Sequence, residues 1–178
     1  AYKVETNNGP QYRTVHLGVD FWLPAGAAIT SLFDGQVFTL VDNDKPKDYG
    51  VTLILQHEVE GLTFYSLYGH LGRKTLDLFK PGDQVKKGET IGFLGDVHEN
   101  GGWSPHLHFQ VMLNMLGNFV DFPGVATYPD KEIWLSICPD PGSLFVEDIP
   151  HPLNEEADLL SFRQAHLGRG MSLSYDIP

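Results

Sequence analysis

The chain has 178 residues, 42% of them hydrophobic, which is enough for one well-buried core but leaves little for a second full domain. Twelve Lys and Arg stand against 23 Asp and Glu, a formal net charge of −11, so nucleic acid and anionic membranes would meet repulsion, and neutral or cationic partners are favoured. No run reaches the roughly 18 apolar residues needed to cross a bilayer, and residues 1–8 lack a charged-then-apolar signal layout, so a soluble chain is expected.

Nineteen Gly and 12 Pro break the chain at short intervals, which predicts many short strands and turns: an all-β body. The first polar motif is His16-Leu17-Gly18-Val19-Asp20, a His and a carboxylate four residues apart with a glycine between them that lets the backbone bend. Strands are predicted over Gln36–Val41, Val51–Gln56, Leu62–Tyr68, Thr90–Leu94 and Leu107–Leu113, each bounded by Gly, Pro or Asp. Asp42–Gly50 is a polar loop long enough to wall a cleft, and Glu58–Gly61 is a hairpin. Just after Leu62–Tyr68, Gly69-His70-Leu71 offers a histidine that a turn can aim inwards. Lys80–Gly92 packs two Gly-centred turns around Val85, which suits a β-sandwich or barrel.

In Pro105-His106-Leu107-His108-Phe109-Gln110-Val111, two histidines one residue apart open an apolar strand, so both imidazoles project from one face into one cleft. Neutral imidazole is a good zinc ligand, and a catalytic zinc commonly takes three protein ligands and keeps one position open. The spacings therefore suggest a two-His, one-carboxylate site, with His70 beside it. His98 reads as a solvated loop residue and His57 as a strand-edge residue, while His151 and His166 have no partner spacing. Cys138, the lone cysteine, cannot form an internal disulfide and reads as a packed thiol.

Composition shifts after about Val125. Six prolines from Pro123 to Pro152 punctuate the stretch, and its helical-looking runs are Lys131–Ile137 and Glu155–His166. Residues 1–125 are read as the domain and 126–178 as a mostly irregular extension or linker.

These residues resemble the lysostaphin-like, LytM-type zinc endopeptidases, whose pattern is His-x-x-x-Asp followed far downstream by His-x-His. Residues 16–20 and 106–108 match it, and Pro24-Ala25-Gly26, Asp34-Gly35-Gln36-Val37, Tyr49-Gly50, Tyr68-Gly69-His70-Leu71, Gly82-Asp83-Gln84-Val85, Gly88 and Ile91-Gly92 follow in the family's order. The resemblance covers about residues 13–113. It implies a compact antiparallel β-sandwich or open barrel with one zinc ion held by His16, Asp20 and His108. It also implies an endopeptidase reaction through metal-activated water, with His70 and His106 as the non-ligand pair. His106 is assigned as general base and His70 as the group that orients or stabilises the developing oxyanion, with the two roles exchangeable.

Peptides of cell-wall or glycine-rich type are the substrates the resemblance implies, with specificity in loops 42–49 and 96–104. Trp103-Ser104 stands where a small pair is usual, which counts against ordinary glycyl substrates. The tail Leu167-Gly168-Arg169-Gly170-Met171-Ser172-Leu173-Ser174-Tyr175-Asp176 is similar to the lead-in of class III aminotransferases. That similarity implies an excised piece of a multidomain protein with covalently linked neighbours and tilts the compartment towards the cytoplasm, the alternative being periplasmic or secreted.

Two rivals differ in class. A non-hydrolytic relative serving as a binding or regulatory module has no chemical need for all five polar positions. A phosphocarrier or lipoyl-type module explains the Gly82–Gly88 turn but leaves His16 and Asp20 unused.

Overall fold

The structure, a computed structural model, describes residues 2–6 and 9–145. Residues Ala1–Gly142 cluster as one compact unit, which holds all of the described strands and the described α-helix. A hairpin of β1 (Tyr2–Thr6) and β2 (Gly9–His16) is followed by the short strands β3 (Val19–Phe21) and β4 (Ala28–Thr30). The long strands β5 (Gly35–Asn43), β6 (Gly50–Val59) and β7 (Leu62–Leu71) form a meander. After them come β8 (Gln84–Val85), β9 (Thr90–Phe93), β10 (Leu107–Met112), β11 (Val125–Thr127) and a helix, α1 (Lys131–Ile137).

Six strands make the main sheet in the order β3-β10-β7-β6-β5-β8, every pair antiparallel. Strands β1, β2 and β11 form a second sheet, and β4 pairs with β9. The all-β class expected from the glycine and proline spacing, and the antiparallel arrangement that the resemblance implies, are both observed. All five predicted strands exist, most of them longer than predicted. The short or polar strands β1 to β4, β8 and β11 escaped notice because each is too brief, or too mixed in polarity, for an alternating pattern to stand out.

Strand β6 explains itself best. Val51, Leu53 and Leu55 fall on one face and Ile54 on the other, all fully inaccessible, so the strand is apolar on both sides and reads as a continuous run. The first face packs on Ile29, Val85, Ile91 and Phe109. The second is covered by Phe122, Ala126 and Cys138, which follow the last strand of the main sheet in the chain. Each such side chain contributes about 1.5–3 kcal/mol by leaving water. The hairpin at Glu58–Gly61 turns through Glu60 (φ 52°) and Gly61 (φ 80°), with Val59 paired to Leu62, a left-handed pair of residues that matches strand twist. The Val85 region turns at Gly82 and Gly88 as expected, both at positive φ.

His57 differs from the expectation. Strand β6 runs on to Val59, so His57 lies inside the strand and is buried. Its Nδ1–H donates to the Asp34 carbonyl (2.8 Å) and its Nε2 accepts from the Ser66 hydroxyl (2.7 Å), with the Phe33 and Phe64 rings against it. Burial lowers its pKa, against the pull of the Asp34 carbonyl. The unfolded chain takes up a proton near the ordinary imidazole pKa of about 6.5, which the folded chain resists. The contribution of His57 is therefore complete above that pH and is lost as pH falls through it towards the lowered folded value. Thermal melts should give a Tm that drops between about pH 7.5 and 5, less steeply in His57→Gln; equal slopes would rule this histidine out as a source.

Candidate metal centre

Strand β10 lies between β3 and β7, and its register decides which side chains meet. His108 sits opposite Asp20 on β3 and opposite Gly69 on β7. Directly opposed residues point to the same face, and His108 Nδ1 comes to 3.2 Å from Asp20 Oδ1. His16, the last residue of β2, pairs with Val125 of β11 and brings its Nε2 to 3.0 Å from His108 Nδ1 and 3.3 Å from Asp20 Oδ1. Three electron-rich atoms thus crowd one point.

Gly18 makes this approach possible, by a route other than the expected bend. A β-carbon there would lie 2.5 Å from the Phe109 carbonyl oxygen and 2.9 Å from the His108 ring. Its φ is not left-handed. The glycine supplies room, letting the His16–Asp20 segment lie against β10.

His70 lies within β7, on an irregularity and not in a turn after the strand. Between the pairs Val51–Leu71 and Leu53–Tyr68, two residues of β7 oppose one of β6, a bulge that re-aims a side chain. His70 adopts φ 62°, held by hydrogen bonds from its own N–H to the Tyr49 carbonyl (2.8 Å) and from Gly95 N–H to its carbonyl (2.9 Å). Its Nδ1 faces the Asn100 carbonyl at 3.0 Å, and a carbonyl only accepts, so the proton is on Nδ1 and Nε2 carries the lone pair. His106 is built alike: Nδ1–H donates to the Ser104 carbonyl (2.7 Å). The two rings are 4.3 Å apart, and all five histidine and aspartate positions expected from sequence line one groove of about 610 Å³.

The charges are arranged around Asp20. Burial works to raise its pKa, but its contacts with the His108 and His16 imidazoles prevail and hold the carboxyl well below the usual carboxylate range. The hydrogen bond to Asp20 raises the pKa of His16 against its burial. Burial lowers His70 to about 3, helped by the neighbouring His106, so His70 is neutral at neutral pH. Two imidazoles and a carboxylate with mutual spacings of 3.0–3.3 Å fit a divalent cation, and His16 and Asp20 remain 40% and 30% exposed on the groove side, where a further ligand can enter.

Three neighbours were given no chemical role by the sequence. Tyr49 is a wedge whose ring lies 5.1 Å from that of His108 and 5.6 Å from that of His70; its hydroxyl is buried without a hydrogen-bond partner among the described residues. Trp22, 67% exposed, stacks on His106 at 4.7 Å. Gln110 is fully buried with Oε1 3.0 Å from His108 Nε2. Strand alternation could have found Gln110, two residues from His108 and so on the same face. The groove wall also includes residues 121–125 and Arg13, beyond the two loops expected. His98 is exposed and Cys138 buried, both as expected, and burial pushes the thiol pKa up to about 11. His151, His166, the run Glu155–His166 and the tail 167–176 lie outside the described residues.

Three convergent donors open on one side, with two further imidazoles beside them in a groove, are the arrangement that a metal-assisted hydrolase uses. A family model described as Peptidase family M23 matches residues 14–121, and the chain belongs to that family. It is 34% identical over 99 residues to the peptidoglycan DD-endopeptidase ShyC of Vibrio cholerae, a stretch covering 56% of this chain and 20% of that protein. To the glycyl-glycine endopeptidase ALE-1 of Staphylococcus capitis it is 32% identical over 105 residues, 58% of this chain and 26% of that protein. The chain therefore spans only about a fifth to a quarter of these curated relatives. The solved catalytic domain of lysostaphin from Staphylococcus simulans is 25% identical, with 75% of this chain and 85% of that one covered at a TM-score of 0.45.

The tight passage at Gly18 gives a direct test. Gly18→Ala should cost about 1–3 kcal/mol in urea unfolding by forcing the two segments apart, and should weaken Zn²⁺ uptake by titration. Wild-type stability together with wild-type uptake would contradict the close-approach argument.

Proposed function

We propose that this chain is a zinc-dependent endopeptidase that hydrolyses peptide bonds with a metal-activated water, His16, Asp20 and His108 being the metal ligands. The observation that carries the reading is the convergence of His16 Nε2, Asp20 Oδ1 and His108 Nδ1 in a groove that also holds His70 and His106. When bound, Zn²⁺ supplies Lewis acidity, which makes water a competent nucleophile near neutral pH and polarises the scissile carbonyl. In this reading residues 1–125 are the peptidase domain and 126–178 an extension, whose first part, up to Gly142, packs in the same compact unit as the domain; the family match ends at residue 121.

The protein's own groups handle protons and geometry. His106 is the general base: its Nδ1–H is anchored on Ser104, which leaves Nε2 to accept a proton, and the Trp22 ring stacked on it restricts its rotation. His70 shares that tautomer but resists protonation, so it orients water or substrate by accepting a hydrogen bond and does not store a proton. Donating to the oxyanion, the other role expected of His70, would require either the imidazolium, which burial opposes, or the other neutral tautomer, which gives up the Asn100 hydrogen bond.

Cell-wall or glycine-rich peptides are the substrate class supported by the names of the relatives. Trp103, which lines the groove with its ring 6.4 Å from that of His106, takes up space beside the reacting centre and argues for selection among such peptides.

His108→Ala is expected to lose zinc and cleavage together, whereas His106→Ala keeps zinc and loses about 100- to 10,000-fold in turnover. Zinc per chain by atomic absorption and cleavage of glycine-rich and cell-wall-derived peptides check both. Equal metal loss in the two variants would refute the division of roles. A wild-type protein that holds zinc and cleaves no peptide would instead point to a non-hydrolytic module.

A further inference from the structure

The buried face of β10 continues past His108 to Gln110, which is fully inaccessible and makes three polar contacts. Its Oε1 is 3.0 Å from His108 Nε2, and its amide nitrogen donates to the Pro123 carbonyl at 3.1 Å and towards the Cys138 sulfur at 3.4 Å. The Pro123 carbonyl can only accept, which fixes which end of the amide carries nitrogen. The oxygen must then face His108, and His108 Nε2 must carry the ring proton.

We infer that Gln110 is a positioning residue for the metal centre: it locks His108 as the Nε2–H tautomer, so that the Nδ1 lone pair faces His16 and Asp20. The inference rests on the proposed metal reading and deepens it. Histidine ligands commonly depend on such a partner for ring orientation and basicity. Here the partner is itself held by a segment beyond residue 121, where the family match ends. Pro123 and Cys138 grip Gln110; Gly124 accepts from Leu17 N–H (2.9 Å), Val125 pairs with His16, and the Ile137 carbonyl accepts from Leu113 N–H (2.8 Å) at the end of β10. Residues 122–138 therefore belong to the metal centre: they set the tautomer of one proposed ligand and the strand register of another.

The full chain is tested with Zn²⁺ as the only probe. Competition with a chromophoric chelator measures affinity, and long-range proton–nitrogen correlation NMR on metal-free protein reads the His108 tautomer directly. Gln110→Met, which fills the space without an acceptor, is expected to weaken Zn²⁺ by about 10- to 100-fold and to release the tautomer. Gln110→Glu keeps an acceptor and is expected to keep the tautomer, a rescue that a merely space-filling role would not produce. Should the Met variant not fold, Gln110→Asn serves instead, because withdrawing the carbonyl by one methylene should also weaken Zn²⁺. An Nδ1–H tautomer in the wild type, or unchanged tautomer and affinity in Gln110→Met, overturns the inference while leaving the metal reading intact. A wild-type chain that takes up no Zn²⁺ sinks the metal reading, and the inference with it.

Discussion

The antiparallel pairing of β3 with β10 is the constraint on which the site depends. It sets Asp20 against His108, with Val19 opposite Phe109 and Phe21 opposite Leu107. The side-chain period of a strand is two, so a slip of one residue would send His108 into the apolar layer around Tyr68 and Leu53 and turn Leu107 or Phe109 to the groove. Burial of Phe109 and Leu107 therefore holds the imidazole in register. Hydrophobic packing, which has no directional chemistry of its own, fixes the direction of a proposed metal ligand.

Around that register the backbone accepts local strain and close approach at the site itself. His70, a non-glycine residue at φ 62°, sits in a conformation that costs roughly 1 kcal/mol or more. The two backbone hydrogen bonds and the bond to Asn100 hold it there. Asn100, buried, is tied in turn to both backbone groups of Trp103: its side-chain nitrogen donates to the carbonyl (2.9 Å), and its side-chain oxygen accepts from the N–H (3.0 Å). The loop that carries Trp103 thus also supports His70. Gly69 next to it is needed for contact, since a β-carbon there would strike the Tyr49 ring at 2.6 Å.

Much of this could be read from residue order. His16, Asp20 and the two histidines around Leu107 announced themselves by spacing, and the apolar runs located the central strands, because period two and burial leave a pattern in sequence. Three kinds of feature left none. The bulge at Gly69–His70 is a mismatch between two strands, invisible in either alone. The burial of His57 depended on strand β6 continuing through the polar residues His57 and Glu58 to Val59, where local propensity alone suggests a stop. The contribution of Pro123, Val125 and Cys138 came from a stretch whose prolines mark it as irregular, and irregular backbone can still donate carbonyls and cover a sheet.

The second face of the sheet shows why that stretch matters to chemistry. His108 and Gln110 lie on the side shared by Ile54, Leu67 and Met112, an apolar layer in which an unpaired polar atom would cost about 1–3 kcal/mol. Each polar group there is satisfied by the next: the His108 Nε2–H by Gln110, and Gln110 by Pro123 and Cys138. Such a row is stable only when complete, because removing one member strands its neighbour in a medium that cannot solvate it. Packing of residues 122–138 on the sheet thus supplies the contacts of Gln110, which in turn faces the His108 ring. The same apolar cover that Phe122, Ala126 and Cys138 provide for the core excludes the water that would otherwise compete for the imidazole Nε2–H.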